Sequence, residues 1–188
     1  QIDTNAEFEI GEPYPILTNN GVSECEFDIK EGKYLAYSCP SPKVYNMETN
    51  MEITLPYANE AHPKTDGDYV VWSYPSSTQP YYGIAQIYNL NTLTVNTIYQ
   101  PVDYFFHDMD VWGGYAYYKV INSTNYGATG ALEKINCANL ATTPLPNDGF
   151  VQIQGDSAIH DDVWAIFDMG DYRYIHSYDT SSNTYEVV

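Results

Sequence analysis

Four copies of one short pattern run through this chain, and their spacing constrains the fold more than any other feature. In each copy, an apolar or aromatic residue at the end of an apolar run directly precedes an Asn or Asp. These anchor residues are Tyr45, Tyr88, Ile135 and Tyr178, so successive copies lie 43, 47 and 43 residues apart. A repeat of this length without helical patterning is typical of the blades of a β-propeller.

Each copy predicts the same succession of four strands. A first strand precedes a Gly or Asp turn, an apolar second strand follows, the third ends at the anchor, and a fourth returns after a short polar turn. The clearest copy runs from Gly67 to Trp72 (GDYVVW) and from Ile87 to Thr92 (IYNLNT). Because one such sheet cannot bury both of its faces, we predict that the four sheets stack around an axis.

The predicted fold class is therefore all-β: a four-bladed β-propeller of four-stranded antiparallel sheets with an extra N-terminal strand. The blades are expected at about 22–56, 57–100, 101–146 and 147–188, and residues 1–21 form an N-terminal strand and linker segment. In that segment Phe8 and Ile10 alternate with glutamates, as in a half-buried strand. If the last blade already contains four strands, this N-terminal strand is spare. It would then either close the ring or pair with an exposed edge on another copy of the protein.

The string Gly-Asp-x-Val-Val-Trp, followed by Ile-Tyr-Asn-Leu-Asn-Thr, resembles the blade repeat of TolB-like propellers. It is especially similar to propeller repeats of archaeal and bacterial cell-surface proteins of the S-layer type. The resemblance is best over residues 61–100 and fair over 150–188, whereas the first copy has a shorter loop and the third lacks the Trp. It implies a propeller but little about activity, since such blades serve scaffolds, lectins and enzymes.

The cysteines indicate an oxidising compartment. Cys25 and Cys39 flank a segment whose midpoint is Gly32, and in a hairpin that turns there they lie opposite each other, within disulfide range. We predict this disulfide, which is typical of secreted proteins. Cys137 is predicted to be a buried apolar side chain, with an intermolecular bridge as the alternative. Asn122 begins a sequon and is a candidate glycosylation site.

The charge balance excludes several partners. The 188 residues include 25 acidic but only seven basic side chains, a net charge of −18. Nucleic acid and anionic membranes require clusters of Lys and Arg, so neither is an expected partner. The chain begins at Gln1 without a Met, so we expect a mature form whose leader has been removed. The expected location is extracellular or at the cell surface.

The sequence contains no recognisable catalytic signature. It has no G-x-S-x-G motif and no Cys paired with a plausible His and orienting residue. His62, His107 and His160 precede second strands, but in registers too different for a shared site, so no metal site is predicted. Acidic pairs such as Asp66 with Asp68, Asp108 with Asp110, and Asp161 with Asp162 are expected to form turns, with structural calcium as the alternative; no other cofactor is predicted.

The loop between the second and third strands varies most among the copies, being long in the second and third. Tyr81, Tyr82 and Tyr126 lie on these long loops and are candidate binding residues that would stack on sugars or contact a protein partner. The alternative is that these are ordinary surface loops that bind no ligand.

These features favour a non-catalytic extracellular structural subunit that self-assembles at a cell surface or into a filament. Residues 6–10, with Phe8 and Ile10, form the candidate assembly strand, which would add to a sheet edge of another copy. The expected partner is thus the chain itself, as a homo-oligomer or homopolymer. A lectin-like module that binds glycans or proteins is the alternative. A polysaccharide-active enzyme is less favoured, because four blades leave a narrow pocket.

Overall fold

A computed structural model describes residues 26–30, 33–38, 41–56, 62–122, 131–146, 157–160, 163–168, 174–182 and 184–187. All helices and strands assigned within these segments are β-strands, arranged in four four-stranded antiparallel sheets. None of the described segments forms a helix long and apolar enough to cross a membrane. The predicted all-β architecture is confirmed. The predicted N-terminal strand lies outside the described residues.

Each sheet consists of four strands that are consecutive in the chain. Sheet 1 contains β1 (Glu26–Lys30), β2 (Tyr34–Ser38), β3 (Pro42–Asn46) and β4 (Met51–Thr54). Sheet 2 contains β5 (Lys64–Thr65), β6 (Tyr69–Pro75), β7 (Gly83–Asn89) and β8 (Thr94–Tyr99). Sheet 3 contains β9 (Tyr104–Trp112), β10 (Tyr115–Asn122), β11 (Ala131–Asn136) and β12 (Thr142–Pro144). Sheet 4 contains β13 (Ser157–His160), β14 (Val163–Asp168), β15 (Tyr174–Asp179) and β16 (Thr184–Val187).

The residue after each anchor closes the turn between the third and fourth strands in the same way in all four sheets. Its side-chain Oδ1 accepts hydrogen bonds from the backbone N–H groups two and three residues later, at 2.8 to 3.1 Å. The four acceptors are Asn46, Asn89, Asn136 and Asp179. A short side chain with an oxygen acceptor satisfies donors that the turn leaves unpaired, which explains why Asn or Asp recurs here.

Consecutive sheets pack face to face through alternate side chains of their strands. The core between sheets 1 and 2 includes Ala36, Val44, Val70, Trp72 and Tyr88. The core between sheets 2 and 3 includes Val71, Ile87, Phe106, Ala116 and Cys137. Sheets 3 and 4 meet through Tyr117, Leu132, Leu145 and Tyr178. The predicted core position of Trp72 is confirmed, since its side chain is fully buried.

Two aspartates join neighbouring sheets near their first strands. Asp28 Oδ2 accepts a hydrogen bond from the Thr65 backbone N–H at 2.8 Å, and Asp66 Oδ2 accepts one from Gly114 at 2.9 Å. Gly114 has a φ of +77°, a conformation in which glycine avoids the steric cost of a Cβ. These carboxylates therefore act as connections between blades.

The first strands follow one another from sheet to sheet. Strand β5 contacts β1, β9 contacts β5, and β13 contacts β9, which is the arrangement expected around a propeller axis. Within the segments described above, no comparably extensive contact joins sheet 4 to sheet 1. Among these segments, no sheet packs against the face of sheet 1 that is turned away from sheet 2 in the way that consecutive sheets pack on each other.

Candidate interaction surfaces

The described segments contain only some of the predicted site residues. Those outside them, whose roles stay predictions, are Phe8, Ile10, Cys25, Cys39 and Tyr126. Tyr81 and Tyr82 lie in the connection between β6 and β7. Asn122 is the last residue of β10 and lies opposite Tyr104, and the two other sequon residues are outside the described segments.

The register of β1 and β2 bears on the predicted disulfide. Glu26 lies opposite Ser38, and Lys30 lies opposite Tyr34. Cys25 and Cys39 are the residues immediately beyond the first of these pairs in the sequence. Both cysteines lie outside the described residues, so the disulfide stays a prediction.

Cys137 lies in the core between sheets 2 and 3, with only 1% of its surface exposed. Burial, and to a lesser extent the charge of Asp66, raises the pKa of its thiol to about 12. A buried thiol that stays protonated is a poor nucleophile. The location agrees with the predicted role as an apolar core residue, and an intersubunit bridge through Cys137 would require this core to open.

Sheet 1 exposes apolar side chains on the face turned away from sheet 2. Asp28 points toward sheet 2, where it bonds to Thr65, and its neighbours in β1 point the opposite way because side chains alternate along a strand. Those neighbours, Phe27 and Ile29, are 67% and 54% exposed. We call Phe27, Ile29 and the residues opposite them, Tyr37 and Leu35, the outer face of sheet 1; Tyr37 and Leu35 are themselves buried.

The outer face continues into an ordered polar group on β3 and β4. The Glu52 carboxylate accepts hydrogen bonds from the Tyr37 hydroxyl and from Lys43 Nζ, the latter at 2.7 Å. The Lys43 ammonium and then the Tyr37 hydroxyl lower the pKa of Glu52 below its ordinary value. Burial and the Glu52 carboxylate raise the pKa of Tyr37. A partner on this face would therefore contact the exposed apolar side chains Phe27 and Ile29 on β1, and the polar pair Lys43 and Glu52 on β3 and β4.

A second exposed surface lies at the end of sheet 2 opposite its Asn89 turn. We call Tyr81, Tyr82, Tyr99 and Tyr104 the tyrosine platform. Tyr81, Tyr99 and Tyr104 are 48%, 62% and 40% exposed. The rings of Tyr82 and Tyr99 meet edge to face, with centroids 5.9 Å apart and an interplanar angle of 68°. Aromatic rings in this geometry support each other while leaving ring surface open to solvent.

The loop that carries Tyr81 and Tyr82 is held by the buried side chain of Ser76. Ser76 Oγ accepts a hydrogen bond from the Tyr82 N–H at 3.1 Å and lies within donating distance of the carbonyls of Thr78 and Pro80. The Ser76 N–H donates to the Tyr82 carbonyl at 2.8 Å. These bonds close residues 76–82 into a compact loop whose backbone is fixed from within.

The same loop is joined to the connection between β8 and β9. The Asp103 N–H donates to the Tyr81 carbonyl at 2.8 Å, and the Gln100 N–H donates to the Gly83 carbonyl at 2.9 Å. A Cβ at Gly83 would lie 2.7 Å from Phe105 Cα, so only glycine permits this close approach of β7 to the start of β9. The platform is thus assembled from two segments of chain.

Tyr99 and Tyr104 were not recognised as site residues from the sequence. Tyr99 pairs with Ile84 across β7 and β8, which places it near the strand end where Tyr82 enters β7. The hairpin register would have indicated this proximity, because the Asn89 turn determines which residues of the two strands are opposite.

The described acidic residues do not form a recognisable metal site. Among them, no group of three or more His, Cys, Asp or Glu side chains is placed to hold a metal ion. Asp66 Oδ1 accepts from the N–H groups of Asp68 and Tyr69 at 3.1 and 2.8 Å, the turn role expected from the sequence. Asp161 and Asp162 lie outside the described segments, and structural calcium stays a hypothesis.

No family model matches the chain, and no curated protein matches it significantly. A solved structure from a study of two prolyl endopeptidases has a TM-score of 0.61 at 13% identity and covers 96% of this chain and 31% of that chain. TolB from Acinetobacter baumannii has a TM-score of 0.58 at 12% identity, with 87% and 43% covered. The tricorn protease has a TM-score of 0.54 at 13% identity, with 86% and 16% covered.

These similarities confirm the β-propeller fold and support the TolB-like part of the sequence resemblance at the level of fold. The chain spans less than half the length of each of these proteins. Two of them are proteases and one is TolB, so similarity at this level of identity assigns neither a catalytic nor a non-catalytic role.

Proposed function

We propose that this chain is a non-catalytic, extracellular structural subunit that self-associates at a cell surface of the S-layer type or in a filament. The observation that carries the proposal is the make-up of the four sheets. Each has four strands, and no described sheet uses a strand from before Glu26. Residues 6–10, which the sequence predicts to form an alternating strand, are therefore not used by any of the described sheets.

The outer face of sheet 1 supplies the complementary surface. Strand β1 has five residues, and its outward side chains Phe27 and Ile29 are exposed. In the proposed contact, residues 6–10 of one copy pack against these two side chains in another copy. Burial of Phe8 and Ile10 beside Phe27 and Ile29 then provides affinity and specificity.

An extracellular setting agrees with the chemistry of the chain. The sequence predicts a Cys25–Cys39 disulfide, which would form in an oxidising compartment. The strongly acidic composition keeps a repeating subunit soluble before it assembles.

The test is the oligomeric state of the full chain, measured by light scattering after size-exclusion chromatography and by negative-stain electron microscopy. We expect oligomers or filaments, and we expect their loss in the double variant Phe8→Asp/Ile10→Asp. The matched control is Glu7→Gln/Glu9→Gln, which changes the opposite face of the same predicted strand and should still assemble. Circular dichroism checks that each variant is folded.

A mixing experiment tests the complementary surface separately. The Phe8→Asp/Ile10→Asp variant keeps the acceptor face, and a Phe27→Asp/Ile29→Asp variant keeps the donor strand. Each variant alone should be monomeric, whereas an equimolar mixture should form heterodimers that cannot grow further. A full chain that stays monomeric at high concentration, or an assembly unaffected by these substitutions, contradicts the proposal.

A further inference from the structure

We propose that the tyrosine platform is a binding site for a neutral glycan. The proposal is independent of self-association, because the platform lies at the loop end of sheet 2, whereas Phe27 and Ile29 lie on the face of sheet 1 that is turned away from sheet 2. Three of its tyrosine residues are 40% or more exposed, whereas other tyrosines of the described segments, such as Tyr117, Tyr118 and Tyr178, are buried in the cores between sheets.

The chemistry of the rings matches that of a sugar. A pyranose ring has an apolar face of C–H groups and a rim of hydroxyls, and tyrosine offers a flat apolar ring with a hydroxyl at its tip. The edge-to-face contact of Tyr82 with Tyr99 holds two rings at a large angle, so they can contact successive units or two sides of one sugar. The Asp103 carboxylate lies next to Tyr104 in the chain and is an acceptor for sugar hydroxyls.

The charges near the platform favour a neutral ligand over an acidic one. No Lys or Arg occurs between Lys64 and Lys119, the stretch that contains all four platform tyrosines. Uronic acids, sulfated sugars and phosphorylated sugars are recognised by cationic side chains, above all by Arg. Without such groups, and with a net charge of −18 on the chain, an anionic glycan would be repelled.

The platform is also organised before any ligand arrives. Ser76 fixes the loop of residues 76–82 from within, and the bond from Asp103 to Tyr81 joins it to the next connection. Weak glycan contacts produce measurable affinity only when little conformational entropy is lost on binding. Tyrosine side chains add to this effect, since each has few rotatable bonds for the contact area that it offers.

A glycan fits this surface better than a protein does. A stable protein interface buries about 800 Å² on each partner, around an apolar core of anchor residues. The platform consists of four rings whose hydroxyls and neighbouring polar groups interrupt the apolar surface. Such a surface suits a short stretch of sugar units, and a protein partner is treated as an outcome of the test.

The test uses isothermal titration calorimetry of the full chain with cellohexaose, mannohexaose, xylohexaose and chitohexaose, and with hexagalacturonate as the anionic probe. We expect at least one neutral hexasaccharide to bind and hexagalacturonate not to bind. Tyr99→Ala should weaken the affinity by about tenfold, as expected for truncation of an aromatic residue that is central to a binding surface, whereas Tyr99→Phe should keep most of it. Met51→Ala, which alters a similarly exposed side chain on sheet 1 (63% exposed), should change nothing.

Three results would overturn the proposal. The first is that none of the neutral hexasaccharides binds at millimolar concentration. The tyrosine platform would then bind a protein partner or no ligand. The second is that Tyr99→Ala and Tyr81→Ala bind as the parent does. The third is that hexagalacturonate binds best. If glycan binding persists in the monomeric Phe8→Asp/Ile10→Asp variant, the site is shown to be independent of assembly.

Discussion

At the scale of single residues, the turns after the anchors hold a backbone conformation that L-amino acids disfavour. Leu93 has a φ of +57°, and the equivalent positions in sheets 1 and 3 are Asn50 at +55° and Leu140 at +63°. Asn tolerates this region because its side chain can bond to nearby backbone groups, whereas Leu cannot. The 62% exposure of Leu93 means that little packing compensates for the conformational cost.

We therefore predict that Leu93→Asn stabilises the protein by about 0.5–1 kcal/mol, a fraction of the usual cost of the left-handed region. Urea unfolding of the parent and the variant measures the difference. The matched variant is Leu140→Asn, which should gain less because Leu140 packs against the core between sheets 2 and 3. A Leu93→Asn protein that is less stable than the parent would contradict this explanation of the turn.

At the scale of the element, the four turns between third and fourth strands differ in one chemical respect. Sheets 1, 2 and 3 use Asn as the acceptor, and sheet 4 uses Asp179. Hydrogen bonds from the Ser181 hydroxyl and from the backbone N–H groups of Ser182 and Ser181 lower the pKa of Asp179 from 3.8 to about 2. This turn alone among the four has an acceptor that acid can neutralise.

The lowered pKa predicts the direction of the pH dependence. A carboxylate that is stabilised by folding contributes stability above its unfolded pKa of 3.8, and that contribution is lost as the pH falls through about 2. Asp179→Asn keeps the acceptor oxygen but removes the titration. Between about pH 5 and about pH 2, the Tm of the parent should therefore fall further than that of Asp179→Asn. Parallel curves for the two proteins would show that the turn does not contribute in this way.

At the scale of the whole molecule, the three cysteines differ in the structure that protects them from reaction. The predicted Cys25–Cys39 bond is local to one hairpin, whereas Cys137 is buried where sheets 2 and 3 meet. We predict that no thiol of the native, oxidised protein reacts with a thiol reagent. One thiol should react after denaturation, and three should react after denaturation with reductant.

Mass spectrometry of the alkylated protein counts these thiols, and peptide mapping identifies Cys137 as the one that becomes reactive on unfolding. Reduction of the native protein should also lower its free energy of unfolding by about 3 kcal/mol, the value expected for a closed loop of about 15 residues. Three reactive thiols in the unreduced, denatured protein would rule out the disulfide. A Cys137 that reacts in the native state would contradict its burial.

The sequence alone was sufficient for the features that depend on neighbouring residues. The Asn and Asp acceptors, the apolar second strands and the four-strand repeat could be recognised because turn chemistry and strand alternation act over a few residues. The core position of Trp72 followed from its place in an apolar strand. Tyr81 and Tyr82 were recognised as loop residues for the same reason.

Only the tertiary structure decided which surfaces stay exposed and which distant residues meet. Phe27 and Ile29 have the pattern of core residues, and their exposure depends on the absence of a packed sheet against that face among the described segments. The contact of Tyr82 with Tyr99 depends on a strand register, and the bond from Gly114 to Asp66 depends on how two sheets dock. Such contacts join residues far apart in the chain, so local patterns do not encode them individually.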